Sequence, residues 1–268
     1  MYAFTYHRPK TLREAASLLA KSEDAKFLAG GHSLLPVMKQ RLAAPPALID
    51  LAGIPGLSGI ERTARSVVIG AMTKHVEVET SPVVREAIPA ITELVSVLGD
   101  PAVRNRGTIG GSVAGNDPST DWPAALLGLS AIVTTNKRKI HADEFFKGLF
   151  ETALEEGEIV TKVSFPIPQK AAYKKFRHPA SRYALVGVFV AKRSGEIRVA
   201  VTGAGANGVF RWTEAEEALG KRFAPKSIEG LAASADGLNS DIHADAEYRA
   251  HLIGVMARRA VAAAVERA

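Results

Sequence analysis

The stretch from Arg104 to Pro123 constrains this chain more than any other. It reads Arg104-Asn105-Arg106-Gly107-Thr108-Ile109-Gly110-Gly111-Ser112-Val113-Ala114-Gly115-Asn116-Asp117-Pro118-Ser119-Thr120-Asp121-Trp122-Pro123. Glycine lets backbone approach a ligand closely and reaches angles other residues resist, so this composition predicts a long loop wrapped around an elongated, phosphate-bearing molecule. A purely structural loop is the bland alternative, and loops this long are uncommon in compact domains unless they serve function. Asp121 stands just before the helical run Ala124–Leu129. It fits equally as the N-cap of that helix or as an acceptor for a ribose diol.

A second glycine motif lies upstream, at Ala29-Gly30-Gly31-His32-Ser33-Leu34. The strand pattern Lys26–Ala29 runs into a diglycine turn and then into a helical stripe of Leu34, Leu35, Met38 and Leu42. Free N–H groups at such a turn, backed by a helix dipole, favour an anion. The competing reading is a tight turn with Ser33 as a plain N-cap and His32 as a loop hydrogen-bonder.

The remaining periodicities give an α+β chain. Thr11 and Glu14 form a capping box before a helix with Leu12, Ala15, Leu18 and Leu19 on one face. With Ala47–Leu51 as a further strand, residues 1–56 predict a small α/β unit with parallel strands. From 57 onward short strands appear at 57–62, 66–71, 131–135, 139–141 and 158–165, with one helix from Pro82 through Val84, Ile88, Ile91, Leu94 and Leu98 to Gly99. A larger α+β subdomain over 57–168 with an antiparallel sheet is expected. Ile167-Pro168-Gln169 reads as a linker. Beyond it a third unit, 169–268, carries strands at 172–177, 184–192 and 196–202, then helices near 212–219, 226–234 and 245–266.

Several function classes fall away. The chain has no cysteine, so it holds no disulfide, thiolate nucleophile or cysteine-ligated iron–sulfur cluster, and redox chemistry here requires an organic cofactor. No apolar run reaches the length of a membrane span and the N-terminus lacks a signal-peptide pattern, so a cytoplasmic protein without a membrane span is expected. The net charge of +6 is concentrated at Lys137–Lys139 and across Lys174, Lys175, Arg177, His178 and Arg182. With no nucleic-acid recognition motif, that charge reads as a solvated face or a docking surface for acidic partners rather than a nucleic-acid site. Gly203-Ala204-Gly205-Ala206-Asn207-Gly208 satisfies G-x-G-x-x-G, but no second strand ending in an acidic residue follows, so it reads as a glycine-rich strand end. No hydrolase motif is present, and no catalytic acid or base stands out.

The pair Ala29-Gly30-Gly31-His32-Ser33 and Thr108-Ile109-Gly110-Gly111 resembles the FAD-binding signatures of the medium, flavoprotein subunits of molybdenum hydroxylases, the carbon monoxide and xanthine dehydrogenase type. Leu34-Leu35-Pro36-Val37-Met38-Lys39 and Arg104-Asn105-Arg106-Gly107 are similar to that family too, as is the C-terminal part from about 171. The resemblance implies an FAD-binding fold of the vanillyl-alcohol oxidase and MurB type with two subdomains, plus an α+β C-terminal domain. It implies diphosphate contacts from backbone N–H groups of 29–33 and 108–112, a ribose contact from Asp121, and cofactor binding that takes in Ser112 and Asn116. Tyr183 is the candidate aromatic flank for the isoalloxazine, with ordinary packing as its alternative. Ser112 replaces the asparagine many relatives carry, and 174–182 lacks an obvious counterpart of the lysine that xanthine-oxidising relatives place near the flavin.

The resemblance also implies partners: an iron–sulfur small subunit and a molybdenum-cofactor large subunit, in a heterotrimer that dimerises. The chain would take electrons from the first and pass them to an external acceptor. The alternative is a self-contained flavin oxidoreductase resembling MurB, and a cofactor-free basic binding protein is the third reading.

Overall fold

The computed structural model describes residues 1–267. The chain opens with β1 (Thr5–His7), α1 (Leu12–Ala20), β2 (Lys26–Leu28), α2 (Leu34–Lys39) and β3 (Ala47–Asp50). The strands form a parallel sheet in the order β1-β3-β2. Thr11 Oγ1 accepts the Glu14 N–H at 3.1 Å while the Glu14 carboxylate accepts the Lys10 N–H at 2.8 Å, so the expected pair does cap α1. Its apolar face packs Ala15, Leu12, Leu18 and Leu19 into one small core with Ile49.

The second unit contains β4 (Ile60–Arg62), β5 (Ser66–Gly70), α3 (His75–Thr80), α4 (Pro82–Ala87), α5 (Pro89–Ser96), α6 (Pro101–Arg106), α7 (Ile109–Gly115) and α8 (Trp122–Gly128). After these come β6 (Ile132–Thr135), β7 (Lys139–His141), α9 (Ala142–Phe145), a hairpin of β8 (Phe146–Gly148) and β9 (Glu151–Thr152), and β10 (Val160–Pro166). The sheet runs β4-β5-β10-β6-β7, antiparallel throughout.

Two expectations are corrected here. The single helix expected from Pro82 to Leu98 is broken into α4 and α5, because the Pro89 ring excludes a helical backbone at Ile88, which lies at φ −143° and ψ 72°. The apolar stripe survives the break: Val84, Ile88, Ile91 and Leu94 are all fully buried. The long loop expected over 104–123 is largely helical, divided between α6, α7 and the start of α8. Gly110 serves close packing of backbone on backbone, since a Cβ there would lie 2.7 Å from the Ala71 carbonyl oxygen.

The third unit comprises β11 (Lys170–Arg177), β12 (Ala184–Arg193), β13 (Glu196–Thr202), β14 (Phe210–Arg211), α10 (Thr213–Lys221) and α11 (Ala246–Glu266). Its antiparallel sheet has the order β11-β12-β13-β14. Phe189, Ala191 and Ala200 face the core of the second unit, while Val188, Val190, Val199 and Val201 face α10 and α11. Burial on both faces explains why β12 is apolar almost without alternation. The helix expected near 226–234 is only a 3-10 turn at Pro225–Ile228. Gly203–Gly208 lies in the connection between the antiparallel strands β13 and β14, with Gly203 at φ +84°, which is no nucleotide fingerprint. Among the described residues no helix is long and apolar enough to cross a membrane.

Candidate functional site

An open cleft of about 640 Å³ lies between the first two units and is closed on one side by the third. Ala29, Gly30, Gly31, His32 and Ser33 form one wall; Thr108, Gly110, Gly111 and Ser112 form the facing one. Asp121 and Tyr183 line it as well. The two glycine motifs meet directly. A Cβ on Gly30 would lie 2.3 Å from the Arg106 carbonyl oxygen and 2.7 Å from Gly107 Cα, so only glycine fits at that seam.

The two motifs differ in what their backbones can offer. In the second, every early amide of α7 is taken. Ile109 and Gly110 N–H donate to the carbonyls of Thr73 and Ala71 at 3.2 and 2.8 Å. Gly111 N–H donates to Thr108 Oγ1 and Ser112 N–H to the Thr108 carbonyl. Of the residues 108–112, Ile109 to Ser112 therefore offer no free N–H to a diphosphate, because those groups are engaged by Thr73, Ala71 and Thr108, while the Thr108 N–H finds no acceptor among the described residues. In the first motif the Gly30, Gly31, His32 and Ser33 amides find no hydrogen-bond acceptor among the described residues. Gly31 sits at φ +76°, the left-handed conformation that turns successive amides to one side. Ser33 makes no side-chain cap on α2, so the plain N-cap reading fails.

Two of the expected site residues stand outside the cleft lining. Ile109 is fully buried and belongs to the core of the second unit. Asn116 adopts φ 40° at the end of α7 and its amide donates to the carbonyls of Gly148 and Glu151, both at 2.8 Å. Its side chain thus pins the β8–β9 hairpin, whose turn residue Phe150 lines the cleft.

Asp121 is 2% exposed and makes no helix cap, which removes the N-cap alternative. Its carboxylate instead accepts from the Tyr173 hydroxyl and from Lys175 Nζ, the latter at 2.9 Å. Lys175 also donates to the Val97 carbonyl at 3.1 Å, and its side chain is only 2% exposed. Burial pushes the Asp121 carboxyl up from its ordinary value, and the Lys175 charge and the bonds from Tyr173 and Lys175 oppose that rise. Burial and then the Asp121 charge push the Tyr173 hydroxyl well above its usual range. Lys175 reads in the sequence as part of a basic surface cluster and Tyr173 is not singled out there, although their i, i+2 spacing on one strand face is the available signal for a shared partner. Lys175 is consequently no part of a docking surface. In the 137–139 turn, Lys137 and Arg138 are paired with Glu155, and Arg138 with Glu158 as well.

Tyr183 is 48% exposed at the cleft rim, on a loop with Ala180, Ser181 and Arg182. Arg182 and Phe150, both on the rim, hold φ of 63° and 57°, a backbone conformation that non-glycine residues adopt at a cost of order 1–3 kcal/mol and most often at binding sites. His75 is a further lining residue that sequence reasoning missed. It opens α3, a helix hidden by its length of only six residues.

A mixed α/β fold with an anion-receptive diglycine turn facing a second glycine motif across a cleft of about 640 Å³ fits a large phosphate-bearing cofactor such as a dinucleotide. Residues 2–168 match the family of the FAD binding domain in molybdopterin dehydrogenase, and residues 171–264 match the CO dehydrogenase flavoprotein C-terminal domain. The chain belongs to this molybdopterin dehydrogenase flavoprotein family; it binds FAD and is an oxidoreductase component. It is 38% identical to the carbon monoxide dehydrogenase medium chain of Hydrogenophaga pseudoflava, over 97% of this chain and 96% of that one. It is 37% identical to the nicotine 6-hydroxylase medium subunit of Paenarthrobacter nicotinovorans, over 97% and 96% of the two chains. A solved structure of the Hydrogenophaga pseudoflava carbon monoxide dehydrogenase, lacking the Mo-pyranopterin moiety of its cofactor, superposes with a TM-score of 0.90, covering 99% of this chain and 98% of that one at 38% identity. The residues present fit FAD: four unpartnered amides suit an anionic diphosphate, and the cleft's volume of about 640 Å³ leaves room for further groups beside it.

Proposed function

We propose that this chain is the electron-transfer subunit of a molybdenum hydroxylase, receiving electrons from an iron–sulfur small subunit and passing them to an external acceptor. The observation that carries this reading is the turn of Gly30, Gly31, His32 and Ser33, which lines the cleft with its amides unpartnered. FAD, when bound, supplies the exchange between one-electron and two-electron steps. The protein supplies position and electrostatics. The 29–33 turn holds the diphosphate, the Thr108–Ser112 wall packs against the cofactor, Asp121 meets a ribose, and the exposed Tyr183 ring flanks the isoalloxazine. We read the chain as an FAD-binding domain over 1–168, with subdomains 1–56 and 57–168, and a C-terminal domain over 169–268.

Partners follow from the lack of cysteine, which leaves the chain without ligands for an iron–sulfur relay of its own. An iron–sulfur subunit therefore docks near the flavin, beside a molybdenum-cofactor large subunit where the primary substrate is oxidised. The relatives' names as medium chains and medium subunits support this division.

The test is to purify the chain with whatever subunits accompany it and to follow flavin absorbance on adding the assembly's substrate. Bleaching of the flavin in the assembly, with no substrate turnover by the isolated FAD-loaded chain, is expected. Turnover by the isolated chain would favour a self-contained reductase of the MurB kind.

A further inference from the structure

We infer that His75 is a further cofactor-binding residue, whose Nε2–H is a fixed hydrogen-bond donor to the diphosphate of FAD. The inference rests on FAD occupying the cleft and adds a side chain to the backbone groups that hold it.

The His75 ring is 3% exposed, yet it lines the cleft. Its tautomer is set from behind. Trp122 Nε1–H donates to His75 Nδ1 at 3.2 Å, and an indole nitrogen only donates, so Nδ1 carries no proton. Burial, reinforced by the positive charges of Arg104 and His32, lowers the pKa of His75 to about 4. The imidazole is thus neutral near pH 7, and its one proton resides on Nε2. That N–H makes no hydrogen bond among the described residues and is not one of the buried unpartnered side-chain atoms, so its edge is open at the cleft for an acceptor.

The position of Nε2 supplies the rest. The His75 backbone N–H donates to the Gly107 carbonyl at 3.0 Å, and a Cβ on Gly107 would lie 2.8 Å from Nε2. Gly107 is also the residue on which Gly30 packs. The Nε2 edge therefore sits at the seam of the two glycine motifs, beside the unpartnered amides of Gly30–Ser33. Arg104, whose charge helps to lower the His75 pKa, is itself held by Glu79, to which its Nε donates at 2.7 Å.

Two substitutions separate this role from a packing role. In His75→Asn the amide oxygen falls near the Nδ1 position and still accepts from Trp122, but no donor reaches the Nε2 position. In His75→Gln the amide nitrogen reaches that position, but the Trp122 acceptor is gone. FAD titration of the deflavinated full chain, with a thermal melt of each apo form, is the experiment. The Asn variant is expected to bind FAD roughly tenfold or more weakly with a near-parental melt, as for loss of a hydrogen bond to a charged group. The Gln variant is expected to keep affinity within about threefold while melting lower. Affinity that follows the melt, or that changes in neither variant, overturns the inference. A parent that binds no FAD instead overturns the cofactor reading itself. Should either variant fail to fold, nitrogen-15 spectra of the parent's histidines decide: FAD addition must shift the His75 Nε2–H resonance, and an unmoved resonance overturns the inference.

Discussion

A Gly110→Val variant is expected to lose on the order of 4 kcal/mol of folding stability, and its flavin with it. The Gly110 N–H donates to the Ala71 carbonyl at 2.8 Å, and a Cβ there would stand 2.6 Å from Ala71 Cβ and 2.7 Å from the Ala71 oxygen. The obstructing atoms are the backbone and Cβ of Ala71, in the turn that follows β5 and held by its N–H donating to the Thr161 carbonyl at 2.9 Å, so they cannot swing away as a flexible side chain would. The variant must break a buried backbone hydrogen bond, displace α7, or both. Chemical denaturation of the apo protein measures the loss. Gly220→Ala is the control, because a Cβ at that exposed helical position meets nothing within 4 Å; its midpoint should stay or rise slightly. A folded Gly110→Val protein of parental stability would contradict this account of why the second motif is rich in glycine.

The second large effect is expected at Lys175. Lys175→Met leaves the Asp121 carboxylate buried without its cation, which typically costs about 3–5 kcal/mol. The Tyr173 hydroxyl alone cannot offset the burial that already pushes the Asp121 carboxyl up. With the cation gone, the folded-state value rises further above the unfolded one. The deficit is therefore largest near neutral pH and shrinks as the pH falls toward the unfolded carboxylate range, where Asp121 is protonated in both states. Adding Asp121→Asn should restore most of the lost stability, since it removes the uncompensated charge. A Lys175→Met variant within about 1 kcal/mol of the parent would show that the pair is not the buried, coupled unit described here. The same burial means that reversing charge at Lys175 probes folding and not partner docking.

What was legible in the sequence, and what was hidden, divides along physical lines. The parallel α/β opening and the antiparallel strands of the second unit announce themselves through periodicities of 3.6 and 2, and the third sheet through near-continuous apolar runs buried on both faces. Thr11 with Glu14 marked a helix start correctly because a capping box is a local device. Helix α7 was hidden because Gly110, Gly111 and Gly115 are poor helix formers, and tertiary packing on Ala71 overrides that propensity; α6, only six residues long, was hidden by its length. The break at Ile88 was masked because the apolar stripe continues through it, although Pro89 carried the signal. At the site, the diglycine turn at 30–31 was readable, since the need for a close approach and a positive φ is written in the residue type. Which motif's amides are free was not readable, because that depends on Ala71 and Thr73, far from α7 in sequence. Asp121 was identified without its partners for the same reason: Lys175 and Tyr173 lie on another sheet.

The most direct test of the site is amide hydrogen exchange at residue resolution on the full chain, with and without FAD. Exchange at Gly30, Gly31, His32 and Ser33 should be fast in the apo protein and slow sharply when FAD binds, because those N–H groups acquire acceptors only then. Exchange at Gly110 and Gly111 should be slow already and change little, since Ala71 and Thr108 hold those amides in both states. Unchanged exchange across 30–33 in protein saturated with FAD would contradict the account.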